Sequence, residues 1–240
     1  MRAAVLSLLL MLSGAACSGD AMDARAAFSD ASAAALAQAV GADDAVAVRA
    51  QIHAGADPNA RGDEGVNLLQ LAMLAQAKDA LRALLQAGAD PNAPGLGGAT
   101  AMHGAAIADD PEFLEILLAN RGDPDARHGI TGATPLAGAT GPRTDAQFRR
   151  LLAAGADPGA PDRTGNTPLH KAAMINAGDH VLALLEAGAD PLAKNSQDAS
   201  FQRYFFKTPP NRLNDAARGQ RQAVVAWLRT RQVPLEAGAE

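Results

Sequence analysis

Residues 188–191 read Gly-Ala-Asp-Pro, and the same turn stands four times upstream, at Gly55-Ala56-Asp57-Pro58, Gly88-Ala89-Asp90-Pro91, Arg121-Gly122-Asp123-Pro124 and Gly155-Ala156-Asp157-Pro158. The aspartates are 33, 33, 34 and 33 residues apart. A period of that length marks one supersecondary unit copied and stacked, so the chain is a solenoid and its function is sought on a surface rather than in a pocket.

Apolar residues hold the same register. Counting back nine, six and five positions from each aspartate gives Val48, Gln51, Ile52; Leu81, Leu84, Leu85; Leu114, Leu117, Leu118; Phe148, Leu151, Leu152; and Val181, Leu184, Leu185. Spacings of three and four place them on one stripe of a helix. Each such side chain stabilises the fold by roughly 1.5–3 kcal/mol once buried, and neighbouring units are needed to bury it. Twenty-three residues before the aspartates stand Thr167-Pro168-Leu169-His170, Thr134-Pro135-Leu136-Ala137, Thr100-Ala101-Met102-His103 and the decayed Asn67-Leu68-Leu69-Gln70. Thr before Pro is a helix start, because the hydroxyl accepts an orphan amide and Pro fits the first helical position. Asp110-Pro111 and Asp179-His180 read as the cap and start of a second helix, and Gly in the turn suits the left-handed backbone that ends it. Each unit is therefore helix, turn, helix, then an extended loop to the next Thr.

The TPLH opening, the LL pair and the GADP turn at a 33-residue period resemble the ankyrin repeat family, over residues of about 28–238. The resemblance implies an all-α solenoid of about six helix-turn-helix units with projecting β-hairpin loops, binding protein partners along a concave face and the hairpin tips. The repeats are placed at about 28–64, 65–97, 98–131, 132–164, 165–197 and 208–238, with an insertion at about 196–207. In the family the Thr and His of the motif are structural, which assigns Thr100, His103, Thr134, Pro135, Thr167, Pro168 and His170 to the scaffold. The hairpin tips vary while the core does not, and their Arg61, Glu64, Arg127, His128, Asp162, Arg163 and Lys194 are candidates for partner contact.

Met1 and Arg2, an apolar run over 3–12 and Ser13-Gly14-Ala15-Ala16-Cys17 form a signal-peptide pattern over residues 1–17, too short to span a bilayer permanently. A short linker follows over 18–27. The chain's single cysteine directly follows the small-residue exit and has no disulfide partner to explain it. The segment resembles a bacterial lipoprotein signal, with Gly14 where that signal prefers an aliphatic residue, and implies lipidation of Cys17. Ser18 after it resembles sorting to the outer membrane. The expected location is the periplasm, with the membrane reached only through the N-terminal lipid. The formal net charge of −5 falls by one unit without Arg2, and a mildly acidic domain lacking Lys/Arg tracts excludes nucleic acid as the expected partner.

Four of the chain's eight aromatics crowd into Phe201, Tyr204, Phe205 and Phe206, flanked by Arg203, Lys207 and Arg212. The last unit resumes at Thr208-Pro209 and ends with Val224, Trp227 and Leu228. Either the aromatics plug the end of the stack, as a terminal repeat requires, or Arg203, Tyr204 and Phe205 form a contact loop. Two other breaks stand out. Arg121 replaces the turn glycine, unless Gly122 takes over the left-handed role. Gly138, Gly141, Pro142 and one extra residue weaken the fourth unit, which is expected to be the softest.

His53, His128 and His180 lie in different units without the spacing of a metal site, no second Cys exists, and no G-x-S-x-G elbow occurs. Gly95-Leu96-Gly97-Gly98 follows no strand of a parallel sheet, so it is no phosphate cradle. The expectation is a monomeric, non-catalytic module without cofactor or metal, binding a protein partner. A Phe-Gln-Arg-Tyr run and the Val-Pro-Leu-Glu end at 233–236 resemble secreted ankyrin lipoproteins with interaction or toxin-immunity roles, which implies an inhibitor or immunity protein. The alternative is a structural or regulatory scaffold assisting an envelope or detoxifying enzyme.

Overall fold

A computed structural model describes residues 28–239. The expected leader over 1–17 with Cys17 and the whole linker over 18–27 lie outside the described residues. Twelve helices form six consecutive pairs: α1 (Ala31–Gly41) with α2 (Ala45–His53), α3 (Leu68–Leu74) with α4 (Lys78–Gln86), α5 (Ala101–Ile107) with α6 (Glu112–Ala119), α7 (Pro135–Gly138) with α8 (Asp145–Ala153), α9 (Pro168–Met174) with α10 (Gly178–Glu186), and α11 (Phe201–Phe205) with α12 (Asp215–Thr230). The first helices stack in chain order, α1 on α3 through to α9 on α11. One continuous core runs through all six pairs.

Each recurring residue has a local job. Gly55, Gly88, Gly155 and Gly188 take φ of +103°, +94°, +87° and +98°, which terminates the second helix where any side chain would be strained. The alanines after them are buried. Every turn aspartate then accepts the amide two residues on, from Asn59, Asn92, Asp125, Gly159 and Leu192 at 2.8–2.9 Å. In units one and two the residue supplying that amide also reaches its neighbour. Asn59 donates to the Gly88 carbonyl and accepts from Asp90 N–H, and Asn92 does the same with Arg121 and Asp123. Asp125 only accepts, from Asp157 N–H, and Gly159 has no side chain to continue the ladder.

Arg121 itself takes the left-handed conformation, at φ +68°, so Gly122 does not relieve it. Gly122 occupies the buried alanine position instead. A Cβ there would lie 2.8 Å from the Leu117 carbonyl oxygen and run into Met102 Sδ, the bulky thioether having claimed the methyl's space. Asp179 also differs from expectation: α10 begins at Gly178, capped from Ala177, which puts Asp179 inside the first turn. There it favours the positive end of the helix dipole rather than serving as the cap.

The loops between pairs close by single hydrogen bonds rather than strands. Gly62 N–H reaches Val66 O, Gly95 reaches Ala99, His128 reaches Ala133, Asp162 reaches Asn166 and Asn195 reaches Ala199. Among the described residues there is no strand, and one isolated antiparallel bridge joins Arg61 to Asn67. Adjacent tips are tied by Gly129 N–H to Gly98 O, Arg163 N–H to Thr131 O and Ser196 N–H to Thr164 O, at 2.7–2.9 Å. In the fourth unit α7 is four residues long against seven in α3, α5 and α9, and a 3-10 turn at Pro142–Thr144 leads into α8.

The aromatic segment is not a loop. Residues 201–205 form α11, with Ser200 capping it and accepting Gln202 N–H, at the register that Thr167 holds one unit earlier. The extra residues fall later, between α11 and α12 and in the N-terminal turns of the 16-residue α12. The closing register follows: Val233 N–H bonds Leu228 O as Ala189 bonds Leu184, so Leu228 aligns with Leu184, and Trp227 is only half-buried, stacked under Arg231.

Candidate functional site

The motif residues turn inward. In units three and five the Thr hydroxyl and the histidine Nδ1 lie 2.9 Å apart, and the Nε2–H donates at 3.0 Å to the carbonyl of Ala133 or Ala199 in the next loop. A carbonyl can only accept, so His103 and His170 carry the ring proton on Nε2. Burial lowers the pKa of both histidines, partly countered by the carbonyl bond. Gln70 performs the same bridge in the decayed unit, donating from Nε2 to Ala99 O at 3.1 Å while its Oε1 accepts Leu96 and Asn67 N–H. Thr134 caps α7 through Ala137 N–H, with Pro135 at the first helical position as Pro168 is in α9. These are scaffold contacts, one per unit.

Several tip candidates are spent on the loops themselves. Arg127 donates to the carbonyls of Gly132 and Pro161, and Arg163 to that of Gly129. His128 Nδ1 accepts Ile130 N–H, and its ring meets the edge of His103 at 5.3 Å. Lys194 pairs with Asp198 at 3.3 Å. Asp162 is half-buried with its side chain 6% exposed, and that desolvation alone would raise its pKa. The Lys171 ammonium at 2.8 Å, the Thr164 hydroxyl and the amides of Asn166 and Thr164 outweigh burial and hold it at about 2. Arg61 and Glu64 are exposed, Glu64 at φ +56°.

The aromatic candidates divide. Phe201, Phe205 and Phe206 are 1%, 1% and 4% exposed, so Phe205 is core and offers no contact surface. Tyr204 is half-buried, its hydroxyl accepting from Asn195 at 2.9 Å and donating to Gln197 at 3.2 Å, which fastens the last loop. Arg203 is exposed. The capping reading therefore holds, and the chain's end completes the cap. Gln202 bonds Pro234 O and Glu236 N–H, Ser200 donates to Glu236, and buried Arg221 donates to Thr208 O and Gly238 O with its guanidinium over Phe206.

What the structure leaves uncovered is a column of apolar residues on the first helices. Leu74, Ile107 and Met174 stand at one register position and are 41%, 60% and 43% exposed, joined by Ile175 at 54% and, from a loop tip, Ile130 at 64%. Between Ile130 and Lys171 lies a groove of about 520 Å³, floored by Ala133, Ala137 and Gly138 and rimmed by Thr131, Arg163 and Thr164. The sequence reading missed this column; its only signal was large apolar residues recurring just before the inter-helix turn. Among the described residues no group of His, Cys, Asp and Glu could hold a metal ion, and no helix is long and apolar enough to cross a membrane.

Helix pairs stacked every 33 residues, a Thr–His bridge to the next loop and loops zipped at their tips coincide with a sequence match to ankyrin repeats in three copies, over residues 34–128 and 105–195. The chain belongs to the ankyrin repeat family. Among solved structures it is similar to the ankyrin repeat domain of Bcl-3, a member of the IkappaB protein family, with TM-score 0.69 and 25% identity over 83% of this chain and 86% of that one. It is also similar to an ankyrin repeat domain from Acinetobacter baumannii AYE, with TM-score 0.65 and 24% identity over 78% and 92%. Among curated proteins it is similar to Protein PhlB of Serratia liquefaciens, 44% identical over 143 residues, 59% of this chain. The chain spans 62% of that relative's length. Ankyrin repeat domains mediate protein–protein interaction and are typically non-catalytic.

Proposed function

We propose that this chain is a non-catalytic binding protein of the bacterial cell envelope that grips one protein partner along its first-helix face and hairpin tips, as an inhibitor or immunity protein. The carrying observation is the exposed column of Leu74, Ile107, Met174 and Ile175 beside the Ile130 groove. Contiguous apolar surface rimmed by polar side chains marks interaction sites. Its recurrence at one register position means a single extended partner surface could touch several units at once. The signal-peptide pattern supports an envelope location, with Cys17 as the lipid-bearing residue, and the family's typically non-catalytic domains support binding without chemistry.

The test is affinity capture from an envelope fraction with the native chain and with Ile107→Asp/Met174→Asp. A single partner at near one-to-one stoichiometry, lost from the variant while its melting temperature is unchanged, is the expected result. Equal recovery with both chains overturns the reading.

A further inference from the structure

The sixth unit is electrically unlike the rest. Residues 198–239 hold seven Arg and Lys against three Asp and Glu, whereas residues 28–197 hold twelve against twenty. Two of the three acids are paired locally, Asp215 with Arg218 and Asp198 with Lys194, and Glu236 accepts the Ser200 hydroxyl. Arg203, Lys207 and Arg212 are exposed, and none forms an ion pair among the described residues. Lys207 occupies the register position of Leu74, Ile107 and Met174, so the apolar column ends in a cation. Arg203 lies one helical turn before it, and Arg212 at the far end of the connection to α12, which Arg221 pins through Thr208. Arg229 and Arg231 lie at the opposite end of α12 and belong to a different surface.

We infer that Arg203, Lys207 and Arg212 form a docking site for an acidic protein segment, so that the partner presents carboxylates over the sixth unit where its apolar side chains run out. The inference rests on the first-helix face being the binding face. An anionic membrane fits less well, because stable surface binding adds apolar insertion to charge attraction and residues 198–239 expose no large apolar side chain. Nucleic acid fits less well too. Single strands are held by exposed aromatics, and among the described residues no aromatic is more than half-exposed, while the excess acid of the other units repels a phosphate backbone. Protein carboxylates need only local complementarity, which steers the encounter and fixes the register of the bound segment.

The experiment is a titration of the full chain with poly-L-glutamate followed by amide chemical shifts. Shifts centred on Arg203, Lys207 and Arg212 that shrink as salt rises support the site. The charge reversal Arg203→Glu/Lys207→Glu/Arg212→Glu should weaken binding by about tenfold or more, while Arg49→Glu/Arg150→Glu, exposed on the second helices α2 and α8, retains it. If the reversal fails to fold, Arg203→Gln/Lys207→Gln carries the same expectation. Equal binding after either change overturns the site, as does binding of phosphatidylglycerol vesicles or single-stranded DNA in place of poly-L-glutamate. Failure here leaves the apolar column to be judged by the Ile107 and Met174 variants.

Discussion

His170 shows how much one side chain carries. Its ring accepts the Thr167 hydroxyl and donates to the Ala199 carbonyl, closing its own helix start and the next unit's loop together. His170→Ala leaves that carbonyl unpaired in the core and should cost about 2–3 kcal/mol, whereas His170→Gln should lose about 1 kcal/mol or less, because Gln70 already makes the equivalent bridge. Thermal melts of the two variants decide this, and equal losses would show the bridge is not what stabilises. The lowered pKa of His103 and His170 also sets a pH dependence. The unfolded chain binds protons more readily than the fold, so their contribution is full above the ordinary value of 6.5 and is lost as pH falls toward the depressed folded value. The melting temperature should fall on acidification through that window, and His103→Gln/His170→Gln should flatten the fall. Arg121 is the opposite case: held at φ +68° with no side-chain bond, it should yield about 1 kcal/mol of extra stability as Arg121→Gly.

The fourth unit and the sixth are the two elements that depart from the repeat, in opposite directions. In the fourth, α7 is a single turn, and the Asn ladder between turns stops beyond Asp125 at Gly159. Hydrogen exchange at α7 and the Pro142–Thr144 turn should be faster than at α3, α5 or α9, and equal protection would remove the soft-unit expectation. Its loss is partly offset by His180 of the fifth unit, which bonds the Thr140 carbonyl at 2.8 Å and stacks on Phe148 at 3.9 Å. In the sixth unit α11 and the residue that ends it bury Phe201, Phe205 and Phe206. Phe205→Ala should therefore cost about 3–5 kcal/mol and unfold the cap, rather than merely weaken partner binding. Melting temperature and partner recovery per folded molecule, measured together, separate those outcomes.

For the molecule as a whole, stacking makes the surface continuous, so binding, capping and anchoring can sit at different places along one axis. The basic sixth unit and the acidic first unit lie at opposite ends of the described stack. Cys17→Ser should abolish labelling by a radioactive fatty acid and release the protein in soluble form; unchanged membrane retention would end the lipoprotein proposal. Much of the fold was legible because its signals are local and repeated: Gly before Ala at the turn, Thr at the helix start, and Leu pairs at fixed offsets. The binding surface was less so. Arg127 and Arg163 look available in the sequence and are occupied in the fold, while Ile107 and Met174 read as helix residues and are left bare.

The sequence by itself determined the register of the first five units and the chemistry of their turns, since those depend on residues a few positions apart and five copies average out local ambiguity, whereas the sixth starts at Ser200 rather than at Thr208. Tertiary structure decided what depends on partners about thirty to forty residues away: that Gln70 does a histidine's work, that Arg121 rather than Gly122 bears the strained turn, that the aromatic run is a helix sealed by the chain's own end, and which side chains remain free for a partner. A repeat pattern fixes backbone geometry because caps and turns are short-range, but burial belongs to pairs of units, and only their stacking assigns it.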